Sequence, residues 1–369
     1  MQETNMSIFD FLTEEESNQY HPKKSDDWKW TFADYPKEKN GINVFSCFAC
    51  GGGSTMGYKL AGCEVIGCCE IDPKMNDRYV ANHHPRHNFL MDIRDFNKIP
   101  KEELPPELFC LDILDGSPPC TTFSIVGDRE KSWGKKKKFH EGKVEQTLDD
   151  LPFVFIETVS KLQPKCVIME NVKGLLIGEA WSYVQEIYRQ FKAVGYQVRH
   201  WLLKGEQMGV PQKRHRVFFI ALRNDNPYDL TDLDMSFNYE PVVFGQIKTQ
   251  QGIDIIGEKL KFLAQNIKHG DSDLSCVMQR IYNKPNSLFG HKIVYDENVC
   301  YTLRAKCTDI RYDTRQYLSV EDVINAQTFP QDYDFGQRTM SNVHYICGMS
   351  VPPVMIKRIV QRLIESGVL

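Results

Sequence analysis

From Gly41 onward, apolar and polar positions along the chain keep two alternating rhythms. Residues 42–48 (Ile42-Asn43-Val44-Phe45-Ser46-Cys47-Phe48) form a short apolar run that ends in Gly51-Gly52-Gly53, the pattern of a buried strand and its turn. A helix through Met56 and Leu60 follows, then strands over 64–70 and 108–114. Further on, the spacing predicts a helix over 153–162, a strand over 165–170, a helix over 181–194, and strands near 198–203 and 216–222. Strand and helix alternating at this spacing predict an α/β fold: a mostly parallel sheet with helices on both faces. The rhythm breaks over 224–294, where periodicity is weak and loops predominate, the mark of a second, smaller domain. Near the C-terminus, Ile356, Ile359, Val360 and Leu363 fall on one helical stripe that needs a partner to cover it. Residues 1–40 are polar, with Glu14-Glu15-Glu16 and no sustained period. The chain therefore divides into a partly disordered extension (1–40), a larger domain (41–223), a small domain (224–340) and a C-terminal helix returning to the larger one (341–369).

Composition narrows the function classes. With 41% hydrophobic and 25% charged residues, the chain has the make-up of a soluble globular protein. A net charge of −4 argues against a wholly basic nucleic-acid binder, but not against a local basic cleft. No apolar run approaches the ~20 residues that span a bilayer, and no signal peptide is present, so no membrane contact and a cytoplasmic location are expected. Cys47, Cys68, Cys69, Cys110 and Cys166 sit inside apolar runs, which suits a reducing compartment. Cys47 and Cys50 have metal-type spacing, but no second pair of ligands follows, so no metal is expected.

Candidate chemistry gathers at predicted strand ends, where open α/β sheets place their sites. Gly116-Ser117-Pro118-Pro119-Cys120 holds one thiol behind two prolines. Glu170 closes a second strand, and Gln212, Arg214 and Arg216 precede a third. A cysteine nucleophile, a carboxyl group and paired arginines can attack and polarise a pyrimidine ring. Gly51, Gly52, Gly53 and Gly57 miss the spacing of the dinucleotide fingerprint. Glu70 is placed to accept from ribose hydroxyls and Asp92 from an adenine amine. Together they describe an adenosine site without a pyrophosphate, as S-adenosylmethionine requires.

The order of these segments resembles the DNA cytosine-5 methyltransferase family over roughly residues 42–365. Phe48-Ala49-Cys50-Gly51-Gly52-Gly53 is similar to the family's first motif, with Phe48 where a ring stacks on adenine. Glu70-Ile71 and Asp92-Ile93 match its ribose and adenine positions, while Pro118, Leu151, Ser350 and Val351 fall at further cofactor contacts. Pro119-Cys120 matches the catalytic motif, Glu170-Asn171-Val172 the carboxylate motif, and Gln212, Arg214 and Arg216 the glutamine–arginine–arginine motif. Thr302-Leu303-Arg304-Ala305 resembles the segment that opens the return from the recognition domain. Three positions depart: Ser46 replaces an aspartate, Cys50 a glycine, and Met349 an asparagine.

The resemblance implies a Rossmann-like fold dependent on S-adenosylmethionine, with the small domain reading DNA. Cys120 would add to carbon 6 of a cytosine flipped out of the duplex, with Glu170 on the ring nitrogen and amine and Arg216 on the carbonyl. Arg214 would position the loop or a phosphate. Ser124, Lys135, Lys136, Lys137, Lys138, Gln212 and Arg280 are the expected DNA contacts, and Gln279, Asn283, Lys284 and Asn286 are also able to read base edges. A tRNA cytosine-5 methyltransferase or a catalytically silent DNA-binding protein on the same fold are the alternatives. Glycine spacing disfavours a nicotinamide dehydrogenase. Expected partners are double-stranded DNA and, within a restriction–modification pair, a cognate endonuclease, with the enzyme itself a monomer. Residues 5–9 (Asn5-Met6-Ser7-Ile8-Phe9) also resemble peptides that bind the bacterial sliding clamp. Packing of Ile8, Phe9, Phe11 and Leu12 on the larger domain is the plainer reading.

Overall fold

The computed structural model describes residues 22–119, 137–138, 145–146, 150–284, 287–306 and 308–369. Cys120, Ser124, Lys135, Lys136, Asn286 and the 5–9 segment lie outside the described residues. Lys137 and Lys138 pair in antiparallel fashion with Gln146 and Glu145, and only their backbone is described.

The larger unit is built on a seven-stranded sheet. Its strands are β1 (Asn43–Cys47), β2 (Glu64–Glu70), β3 (His87–Leu90), β4 (Ile113–Gly116), β5 (Cys166–Val172), β6 (Tyr196–Lys204) and β7 (His215–Arg223). Their order is β3-β2-β1-β4-β5-β7-β6. Only β7 runs antiparallel, to both β5 and β6. Period-two side-chain alternation divides the buried strand residues between two cores. Phe45 and Cys47, Val167 and Met169, and Val217, Phe219 and Ala221 face one core. Val44, Ile168, Phe218, Ile220 and Leu222 face the other. The first core is closed by α3 (Ile93–Lys98), α4 (Leu151–Leu162) and α5 (Trp181–Ala193). On the second face lie α1 (Gly53–Leu60) and the C-terminal α11 (Pro353–Glu365), whose Ile356, Ile359, Val360 and Leu363 are fully buried. These two helices touch where Gly57 has no side chain, since a Cβ there would lie 2.5 Å from that of Ile356.

Several predicted boundaries shift. The run over 108–114 is not one strand: Pro106–Phe109 is a 3-10 turn, and extended structure begins only at Ile113. Two prolines, Pro105 and Pro106, fix φ and favour the turn. Helix α2 (Pro73–His83), α3 and strand β3 were not anticipated. Asp72 caps α2 from Lys74 and Met75 with proline at the first helical position, a start signal present in the sequence.

Beyond β7, residues 230–235 still belong to the second core. A small core of its own joins α7 (Glu258–Gln265), α8 (Leu274–Tyr282) and the strand pair β8 (Ile293–Val294) and β9 (Ile310–Arg311). In contrast, α6 (Phe244–Ile247), α9 (Val320–Gln327) and α10 (Met340–Met349) share a core with Met56, Met75 and Trp30. Residues 22–40 therefore do not lie loose. Trp30 is buried and donates from its indole to the Thr328 carbonyl at 2.8 Å. Among the described residues, no helix is long and apolar enough to cross a membrane.

Candidate active site

Strand order reverses between β1 and β4, the switch point at which doubly wound sheets open a crevice. A cavity lies there, lined by the ends of β1, β2, β4 and β5 and by the segments around Arg214 and Ser350. Phe48, Ala49, Gly53, Glu70, Ile71, Asp92, Ile93, Pro118, Leu151, Glu170, Arg214, Arg216, Ser350 and Val351 all line it. These residues come from distant segments of the chain, and the cavity brings them together. Gly51 and Gly52 are not among the lining residues.

The loop after β1 is wound tightly, with Phe48, Cys50 and Gly52 at positive φ (55°, 47° and 84°). Its glycines answer to the protein behind the loop. A Cβ on Gly52 would fall 2.0 Å from the His83 ring, and one on Gly53 2.2 Å from the Val351 carbonyl. Glu70 anchors the cavity side, where its carboxylate accepts from the amides of Cys50 (2.7 Å), Asp72 (2.8 Å) and Ile71 (2.9 Å). Burial raises the Glu70 pKa, and these amides pull it back. Asp92 caps α3 through the Arg94 amide at 2.9 Å and pairs with the Arg94 guanidinium.

The catalytic candidates gather on the neighbouring strands. Arg216 stands opposite Val172 in the β5–β7 ladder, so Glu170 is its diagonal neighbour. Arg216 Nε meets Glu170 Oε1 at 2.9 Å, and Arg216 Nη1 donates to the His215 carbonyl at 2.8 Å. Burial lowers the Arg216 pKa, and Glu170 opposes the shift. Arg214 is buried beside it; burial, then repulsion from Arg216, lowers its pKa. Its Nη atoms reach the Leu303 and Gly348 carbonyls only at 3.4 Å. Arg214 thus bridges the segments around Leu303 and Gly348 from a buried position. Its buried Nε has no partner among the described residues, and neither does Ser350 Oγ.

Two of the expected DNA contacts are engaged within the protein. Gln212 is fully buried and its amide is consumed, donating to the Ala326 carbonyl (2.9 Å) and Gln327 Oε1 (2.7 Å) and accepting from the Leu303 amide (3.0 Å). It joins three segments, and both of its amide donors are taken. Arg280 forks onto Asp271 at 2.9 and 2.8 Å and also donates to the Asn266 carbonyl. Three of its five donors are engaged inside the small unit.

Structure also adds residues that the sequence reading left without a role. Asn171 donates to the Pro118 carbonyl at 3.3 Å, tying the two-proline segment to β5. At the end of β4, Asp115 is buried and accepts from Ser46 Oγ (2.6 Å) and Tyr58 OH (3.0 Å). Ser46, where an aspartate was expected, is thus a donor to a neighbouring carboxylate. Burial pushes the Asp115 pKa up to about 7.

The C-5 cytosine-specific DNA methylase family model matches residues 42–365. The chain belongs to that family. It is 24% identical over 357 residues to the Type II methyltransferase M.FnuDI of Fusobacterium nucleatum, covering 88% of this chain and 95% of the relative. Against the Type II methyltransferase M.NgoPII of Neisseria gonorrhoeae it is 30% identical over 190 residues, which is 52% of this chain and half of that protein. A mutant of Spodoptera frugiperda DNMT2 shares the fold with a TM-score of 0.61 at 16% identity, over 88% of this chain and all of that one. The family and its fold depend on S-adenosylmethionine. The cavity's donor set fits such a group: a carboxylate at the β2 end, an aromatic ring after β1, apolar walls from Ile71, Ile93, Leu151 and Val351, and two buried polar atoms still lacking a partner.

Proposed function

We propose that this methylase transfers a methyl group to carbon 5 of cytosine in duplex DNA, with Cys120 as nucleophile. The observation that carries the reading is the Glu170–Arg216 pair on the wall of the same cavity into which Pro118 and Pro119 lead. S-adenosylmethionine, when bound, supplies the methyl group. Glu70, Asp92 and Phe48 would hold its adenosine part. Arg214 Nε and Ser350 Oγ, on residues of the cavity wall and without a partner among the described residues, are candidate donors to it. Cys120 as thiolate adds to carbon 6 of the base, which makes carbon 5 nucleophilic toward the methyl group. A base such as water then takes the carbon 5 proton, and that C–H electron pair re-forms the 5,6 double bond as the carbon 6–sulfur bond breaks and the thiolate leaves. Glu170, held by Arg216 through one oxygen, keeps its other oxygen for the base amine. Proline-fixed geometry matters here because the thiol must sit within bonding reach of a base already out of the stack. The unit built on α7, α8, β8 and β9 is our candidate for sequence recognition, and the lysines at 135–138 for phosphate contact.

Duplexes carrying 5-fluorocytosine test the mechanism, since the fluorine blocks the last elimination. Wild type should form a covalent adduct with them in the presence of S-adenosylmethionine. Cys120→Ala should form none, lose all transfer by bisulfite sequencing, and still bind the cofactor. Turnover in Cys120→Ala would refute the mechanism, and methylation of tRNA in place of duplex would refute the substrate.

A further inference from the structure

Behind the loop after β1 stands a block of aromatic residues from three distant segments. The Gly51 carbonyl accepts from Tyr333 OH at 2.8 Å and meets His83 Nε2 at 3.3 Å. Both side chains are buried, and the His83 ring occupies the space where a Cβ of Gly52 would be. Tyr333 is held by the N-terminal segment. The Gln331 amide donates to the Trp30 carbonyl at 2.9 Å, and the Phe32 amide to the Asp332 carboxylate at 3.1 Å. The Phe32 ring lies 6.2 Å from His83 and 6.5 Å from Tyr333. On the opposite side of the same loop, the Cys50 amide is bound by Glu70. The Cys50–Gly51 segment is therefore held at two points, by a cavity carboxylate at the Cys50 amide and by an aromatic wall at the Gly51 carbonyl.

We propose that Tyr333 and His83 are positioning residues for cofactor binding, and that residues 30–32 lock them in place. The inference rests on the cofactor reading above. A peptide plane freed at the Gly51 carbonyl can rotate, and the Cys50 amide, two peptide planes back along the same turn, then loses alignment with Glu70. Cofactor affinity falls, while the base-side groups Glu170 and Arg216, on other strands, keep their geometry.

Calorimetric titration of S-adenosylmethionine into the full chain, with initial rates on duplex DNA, tests it. Tyr333→Phe keeps the ring and removes one hydroxyl. Its Kd and KM for the cofactor should rise about 3- to 10-fold, the scale of one lost hydrogen bond, with kcat at saturating cofactor within about twofold of wild type. Phe32→Leu, at a half-buried position, should raise the same KM to a smaller extent and serves if Tyr333→Phe does not fold. Unchanged cofactor KM in the folded variant, or a loss confined to kcat, overturns the positioning role. A wild type that binds no S-adenosylmethionine would instead overturn the cofactor reading.

Discussion

Two arginine–carboxylate pairs, one beside the sheet and one joining β9 to α9, are finished to different degrees. Between β9 and α9, Arg311 and Asp322 are completely buried and bonded several times over. Arg311 Nε and Nη2 both meet Asp322 Oδ2, while Nη1 and Nη2 donate to the Thr249 carbonyl and hydroxyl. Asp322 Oδ1 accepts from the Thr249 amide, and its Oδ2 from the Ser319 amide, each at 2.8 Å. Beside the sheet, Arg216 and Glu170 share one contact at 2.9 Å on a cavity wall, and Glu170 has no other partner among the described residues. A closed network fixes a fold; a pair with donor and acceptor capacity left over is arranged for something that arrives later. The two should therefore fail differently. Glu170→Gln should lower kcat by about 10²–10⁴ while leaving stability within about 1 kcal/mol, because water entering the cavity can solvate Arg216. Arg311→Leu should cost about 3–5 kcal/mol in urea unfolding, leaving cofactor KM intact in the molecules that remain folded. Comparable stability losses in both would break the contrast.

Asp115 sharpens it, being a buried carboxyl near the cavity that does have its donors, yet stays costly when charged. Its folded pKa of about 7 lies above the ~3.9 of an unfolded chain. Between these values the native state holds a proton that the unfolded state has lost. The stabilisation is full below the unfolded value and is lost as pH rises through about 7. Relative to Asp115→Asn, wild type should lose on the order of a few kcal/mol between pH 4 and pH 8, measured as paired urea midpoints at each pH. A pH-independent difference would mean that Ser46 and Tyr58 keep the carboxylate charged throughout.

The central strands and the cavity residues on their ends were legible because strand period and burial act locally. Every residue of β5 up to Asn171 is buried, and its apolar run is long enough to be read directly. Strand β3 alternates between exposed and half-buried positions in His87-Asn88-Phe89-Leu90, too short and too polar to register as a strand. Partners were the harder part. Gln212 meets residues 91 and 115 positions away, a pairing set by tertiary closure and by nothing in the motif itself. Residues 22–40 looked like a tail since Trp28, Trp30, Phe32 and Tyr35 follow no helical or strand period; their aromatic density was the available signal.

The smallest expected effect concerns Arg280, which residue type alone nominates as a base reader. Near the end of α8, its guanidinium is held two-pronged by Asp271, and Asp271 is itself only slightly exposed. Reaching a guanine edge would mean breaking both contacts and leaving that carboxylate without its cation. Discrimination of about 1–3 kcal/mol from a bidentate base contact would barely offset the loss. Arg280→Ala should therefore destabilise the small unit by about 1 kcal/mol, the modest value of a part-exposed pair. It should leave the methylated sequence unchanged in bisulfite reads and the salt slope of DNA binding flat relative to wild type. A relaxed recognition sequence in the variant would show that Arg280 leaves Asp271 on binding, so that even a well-made ion pair in the small unit serves recognition and not only the fold.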